Sequence, residues 1–367
     1  MIGWLTVQPR SATIKTTPKD RLAITRSLCN LRHSDSVIAV TIDCLADSFF
    51  QSPVKRVSFQ RVAMTRNRSQ RLLFPCLLAG LCTALGSPQA LAQFRKSCPA
   101  GVVLKASASI AAQGSLLQTE VLGLKSAAQL SSEWDGRAIP LWQEDEKSSV
   151  WHGLLGVDLE KAPGRYEWKV SWAGPGGESQ SCSVFVTVHA AKFPTERLTV
   201  EKQFVQPDPE QEKRAAEDQK KMRAIYDTVT PECLWDGKFR LPLKDVTTGG
   251  NFGRRRILNG ESRSPHAGVD FPAATGTAVF ASQSGRVVLA ENLYYSGNTV
   301  VIDHGYGIYT LYAHLSKIAV QADEMVKAGD ELGKVGATGR VTGPHLHWGL
   351  TIDHARVNAL GIAHLEP

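Results

Sequence analysis

The 367-residue sequence contains no HExxH pair, which excludes the helical zinc-protease arrangement with a glutamate base. Its most apolar stretch, Leu72 to Leu85, is broken by Pro75 and falls short of the ~20 apolar residues that a membrane span needs. Beyond residue 92 only three cysteines remain, Cys98, Cys182 and Cys233, and none has zinc-cluster spacing. An excess of one charge is also missing there. Residues 1–92 carry 12 Lys and Arg against 4 Asp and Glu, whereas the remainder carries 30 against 31. The formal net charge of +7 therefore belongs to the N-terminal segment, and no nucleic-acid partner is expected on charge grounds.

The segment from Met64 has the layout of an export signal. Arg66, Arg68 and Arg71 precede the apolar stretch, and Ala90-Leu91-Ala92 supplies a small-residue cleavage site. Residues 64–92 are thus expected to be removed, leaving no stable membrane span. Residues 1–63 show no fold pattern and are read as a non-native or disordered upstream extension. Cys82 follows Gly80-Leu81, a poor lipidation box. An exported chain meets an oxidising compartment, where Cys98 and Cys182 could pair; a Cys182–Cys233 bridge is the alternative.

Seven of the ten histidines fall between residues 266 and 364. Four of them, with one aspartate, lie in three short glycine-flanked blocks: His266 and Asp270 in SPHAGVDF, His314 in LYAHLS, and His345 and His347 in TGPHLHWG. Zinc takes a few N and O ligands, and a catalytic site keeps one position open. Two histidines and a carboxylate suit that demand, which leaves two histidines for proton transfer. His345 and His347 are two apart within an apolar/polar alternation, so they share one face of a strand. His266 and Asp270 are four apart, but Gly268 between them and flanking prolines argue for a loop entering a strand. His152, His189, His304, His354 and His364 read as ordinary surface or core histidines.

These blocks, in this order and with the intervening glycine framework from GTAVFASQSGRVV to VKAGDELGKVGATGR, resemble the lysostaphin-like zinc endopeptidases that cut peptidoglycan peptides. The resemblance spans about residues 248–360. It implies that His266, Asp270 and His347 bind one zinc ion. It also implies that His345 is the general base and that His314 is the second catalytic histidine, addressing the developing oxyanion or the leaving amine. Partners that orient the ligand histidines are expected, and Asp303 is one candidate. Asn251 and Asn259 are read as turn residues, Arg254–Arg256 as a solvated edge or a contact for a substrate carboxylate, and Trp348 and Tyr309 as either groove or core. The implied location is periplasmic or extracellular. Loss of catalysis, leaving a wall-binding protein or an activator of other wall hydrolases, is the competing reading, and the complete five-residue set favours the enzyme. A broader secreted protease that cuts glycine-rich proteins is a further one.

Around this core the expected fold is mainly β. An immunoglobulin-like sandwich is expected over 93–197, carried by VVLKASASI, LLQTEVLGL, YEWKVSWAG and SCSVFVTVHA. A linker with a helix follows over 198–238, because residues 207–228 are charged and free of glycine. A compact antiparallel metallopeptidase domain is expected over 239–367, of the duplicated hybrid motif type implied by the resemblance.

Overall fold

The computed structural model describes residues 94–125, 129–145, 147–244, 246 and 249–364. The expectations for residues 1–63 and 64–92 lie outside the described residues.

Alternating burial builds the first half of the described chain. Leu116–Leu122 alternates half-buried and buried side chains, and Ser179–His189 alternates through most of its length. One sheet runs in the order Phe94–Ser97, Val103–Ala106, Leu116–Leu122 and Val150–Gly156. The other runs Ile110–Ala112, Ser179–His189, Gly164–Ala173, Ser131–Trp134 and Arg137–Ala138. Their apolar faces close on one core that includes Leu104, Val121, Leu155, Trp168, Val170 and Val186. The Cys98–Cys182 disulfide joins one sheet to the other.

The VVLKASASI segment is two strands. Ser107 still bonds Gln118 in the first sheet, while the Ser109 carbonyl already accepts from Thr187 in the second. The chain therefore changes sheets within three residues. The strands on either side of the Asp158 turn likewise belong to opposite sheets, so GLLGVDLEKAPGRYEWKV crosses the sandwich and is not a hairpin.

The helix Pro209–Tyr226 begins with a capping box, in which the Asp208 carboxylate accepts from Gln211 N (2.8 Å) and the Gln211 side chain accepts from Asp208 N (3.1 Å). Met222, Ile225 and Tyr226 rest on Leu289, Leu293, Val301 and Tyr309, so the helix lies against the second β region. No described helix is long and apolar enough to cross a membrane.

That second region is a nine-stranded sheet whose pairings are all antiparallel. Its main path runs Gly268–Pro272, His345–Ile352, Ile308–Ile318, Gly297–Asp303, Gly285–Leu293 and Met325–Val326. Phe271, Val300, Tyr312, Leu315, Leu346 and Trp348 are fully buried beneath it. Beside it, Thr195–Leu198 pairs in parallel with Arg255–Leu258, which pairs with Glu261–Arg263. Thr195–Leu198 straddles the 197/198 boundary read from composition. The sandwich meets the larger sheet through Arg356, which grips Asp158 with two nitrogens (2.9 and 2.8 Å) and Glu160 with one (2.8 Å).

Candidate metal centre

Strand pairing gathers the three sequence blocks. Asp270 lies directly opposite His347, and His347 lies opposite Ala313, the neighbour of His314. Leu346 points into the core, which puts His345 and His347 together on the opposite face. His314 is the extra residue of a bulge: Asn298 and Val300 face Leu315 and Tyr312, with two residues between them on the His314 strand. Its φ is 63°, a left-handed backbone that non-glycine residues rarely adopt. The bulge turns the imidazole out of the core, and Nδ1–H donates to the Thr338 carbonyl at 2.9 Å.

His266 Nε2, Asp270 Oδ1 and His347 Nδ1 converge. They are separated by 2.8 Å (His266 to His347), 3.0 Å (His266 to Asp270) and 3.1 Å (His347 to Asp270). The Nδ1 of His266 faces the Asn251 carbonyl at 3.0 Å. A carbonyl only accepts, so that nitrogen carries the proton and Nε2 of the neutral ring is bare. Three lone-pair atoms at such separations require a cation or a shared proton among them. Ligand atoms about 2.0–2.1 Å from a tetrahedral zinc sit about 3.3 Å apart, so this N,N,O triangle fits zinc after a small expansion. Among the described residues, these three make the candidate metal-binding group.

Burial pushes the His266 imidazole down to about 4, against the opposing pull of the Asp270 carboxylate, so the ring is neutral at working pH, as a metal ligand must be. Burial also opposes ionisation of Asp270. The close contacts with His266 and His347 outweigh it and hold the carboxyl well below its usual range. Asn251 Nδ2 donates to the outer oxygen of Asp270 at 3.2 Å, and Arg256 lies 3.7 Å from that same oxygen. These contacts orient the three candidate ligands from behind.

His345 and His314 stand beside the triangle. Their rings are 4.8 Å apart, and His345 Nε2 is 3.7 Å from Asp270 Oδ1. His345 Nδ1–H donates to the Gly343 carbonyl at 2.9 Å. In the neutral form of either ring the proton sits on Nδ1, which leaves Nε2 as the base. Burial drives His314 down to about 3. The two rings open on a cleft of about 240 Å³ that is also lined by Leu198, Val200, Arg256 and Arg340.

All five site residues meet in one place; several neighbours do not match their expected roles. Asp303 is no partner of a ligand histidine: its carboxylate accepts from Thr230 (2.5 Å) and Gly305 N (2.8 Å). Trp348 and Tyr309 are core residues, 0% and 2% exposed. Asn251 is at a turn with φ 74°, and it also bonds both His266 and Asp270. Asn259 is a turn residue that exchanges two 3.0 Å bonds with Val200. The Arg254–Arg256 run is not a solvated edge throughout, since Arg254 pairs with Glu196 (3.6 Å) and Arg256 turns inward to Asp270. The signal for Asn251 was its place between Gly250 and Phe252-Gly253 just before the HAGVD block, where an asparagine tolerates the left-handed turn.

Residues 264–359 match the model of peptidase family M23. They form an M23 peptidase domain. The chain is 44% identical to the peptidoglycan DD-endopeptidase ShyA of Vibrio cholerae over 126 residues, 34% of this chain and 28% of ShyA. It is also 44% identical over 98 residues to the DD-carboxypeptidase/endopeptidase Mpg of Neisseria meningitidis, 27% of this chain and 23% of Mpg. Among solved structures, the catalytic domain of lysostaphin from Staphylococcus simulans is 35% identical, covering 31% of this chain and 76% of that domain, with a TM-score of 0.24. The chain spans under a third of the length of the two curated relatives. Asn251 and Arg256 precede the matched M23 segment, yet both contact its Asp270, so the site draws on chain outside that segment.

Proposed function

We propose that the chain is an exported, zinc-dependent endopeptidase of the cell envelope that hydrolyses peptide bonds in peptidoglycan cross-links or stem peptides. The observation that carries this reading is the triangle of His266 Nε2, Asp270 Oδ1 and His347 Nδ1, with two proton-accepting histidines beside it in an M23 domain. The wall peptide as substrate is supported by the names of ShyA and Mpg.

Zinc, when bound to His266, Asp270 and His347, supplies a Lewis acid for the scissile carbonyl and a water of lowered pKa. The remaining work falls to this chain's own groups. His345, with its Nδ1 proton tied to Gly343, has the Nε2 lone pair free to take a proton from the attacking water. Hydrolysis adds the water oxygen to the carbonyl carbon and breaks the C–N bond, and the proton ends on the leaving amine. Neutral His314 has no proton on Nε2, so it acts by taking over the proton that His345 removed from the water; as imidazolium it can then bond the developing oxyanion or deliver that same proton to the amine. The cleft walls hold the peptide extended over both rings.

The test separates ligand from base. His345→Ala should keep about one zinc per chain and lose turnover on purified peptidoglycan by at least ~100-fold. His266→Ala should lose both metal and turnover. Full turnover in His345→Ala would remove it from the base role, and full zinc in His266→Ala would break the ligand assignment.

A further inference from the structure

The cleft beside the two histidines holds a cation that the reaction does not use. Arg340 lies on the loop between the strands Glu331–Val335 and His345–Ile352 and lines the same cleft as His314 and His345. Its guanidinium lies over the Tyr295 ring, 4.5 Å from the centroid. The loop is tied down. Arg340 N donates to the Tyr295 carbonyl (2.8 Å), Thr338 Oγ1 donates to the Leu315 carbonyl (2.8 Å), and the Thr338 carbonyl accepts from His314. Gly339 adopts φ 75°, and a Cβ there would meet Gly297 N at 2.4 Å. Arg340 is thus fixed two residues from the group that orients His314.

Among the described residues, no carboxylate lies within ion-pair distance of Arg340, and its charged neighbours Arg256 and Arg263 are themselves cations. Burial first, then repulsion from Arg256, lowers its pKa from the ordinary arginine value, yet a guanidinium stays charged at neutral pH. Arg256 has an anion in Asp270, at a long 3.7 Å, and its buried Nε has no hydrogen-bond partner. A guanidinium whose face is taken by an aromatic ring still offers its in-plane N–H fork, the geometry that holds a carboxylate with two bonds.

We propose that Arg340 is a carboxylate-binding subsite of the cleft, which selects acidic peptides carrying a free carboxylate within one or two residues of the scissile bond. The proposal rests on the endopeptidase reading for its substrate, and binding and cleavage can be measured apart. The unpaired cation lines the same cleft as His345 and His314, within reach of a peptide laid along it. Selection then comes from electrostatic fit: an amide at the same position leaves the guanidinium without its anion.

Calorimetry of the zinc-loaded chain tests it. The ligands are the stem peptide released from purified walls and the same peptide with its carboxylates converted to amides. The wild-type chain should bind the native peptide about 10–100-fold more tightly than the amidated one. Arg340→Gln should lose most of that difference while binding the amidated peptide as the wild type does. Arg340→Lys, which keeps the charge and loses the fork, should fall between them. Zinc content and thermal midpoint should not move in either variant. An Arg340→Gln chain that keeps the wild-type preference, or a wild type with no preference, overturns the subsite. A wild type that prefers the carboxylate peptide but cuts no cross-linked wall peptide would sink the endopeptidase reading and leave the subsite standing.

Discussion

At the scale of residues, the same side-chain type serves two opposite ends in this sheet. His266 and His314 are buried to face a site, whereas His304 is buried to hold the fold. His304 is 0% exposed; its Nδ1–H donates to the Ser284 carbonyl and its Nε2 accepts from the Thr310 hydroxyl, each at 2.7 Å. Burial pushes its imidazole down to about 4. The folded value is below the unfolded one of about 6.5, so the unfolded chain takes up the proton first as pH falls. Stability present above pH ~6.5 is lost as pH falls toward ~4, by up to about 3 kcal/mol from this group. His304→Gln should therefore flatten the decline of the urea midpoint between neutral and mildly acidic pH in zinc-loaded protein. Equal slopes in variant and wild type would contradict this.

Much of the residue scale was legible before the structure. Four histidines and Asp270 stood out because metal chemistry demands those types and glycine-flanked blocks concentrated them. Asn251, Arg256 and Thr338 did not, because they act through contacts set by folding. The site uses the carbonyls of Asn251 and Thr338, and a carbonyl has no sequence signal. Asp303, a candidate to orient a ligand histidine, has its carboxylate taken by Thr230 and by the turn at Gly305, contacts that only the fold sets.

At the scale of elements, the period-2 rule did most of the positioning. It put His345 and His347 on one face of a strand, and pairing then set Asp270 opposite His347. The glycine between His266 and Asp270 has a packing cause visible only in three dimensions. A Cβ on Gly268 would sit 2.5 Å from His347 Nε2 and 2.8 Å from the Trp348 carbonyl. Gly268→Ala should push the ligand ring aside, lowering zinc affinity at least ~10-fold and stability by about 1–3 kcal/mol. Competition with a chromophoric chelator would read the affinity, and an unchanged zinc affinity would refute the steric argument. Sheet exchange at Ser107–Ser109 escaped the sequence because alternation continues through the residues that change sheets. The helix Pro209–Tyr226 was legible from its charge, lack of glycine and Asp208 start, whereas its seat on Leu289 and Tyr309 was not.

At the scale of the whole molecule, the M23 segment does not make its cleft alone. Leu198, the last residue of the strand Thr195–Leu198, and Val200 line one wall, and Arg356 ties the edge of the nine-stranded sheet to Asp158 and Glu160 of the sandwich. The sandwich is thereby held against the nine-stranded sheet. Under the proposed function, this assembly cuts wall peptides with its metal centre. The measurement is digestion of purified peptidoglycan by the zinc-loaded chain from Gln93, with new termini identified by mass spectrometry, beside the same protein treated with a chelator. The account predicts new amino termini at one class of peptide bond, absent after chelation and restored by zinc. Metal-loaded protein that releases no new amino terminus from any wall type would contradict it.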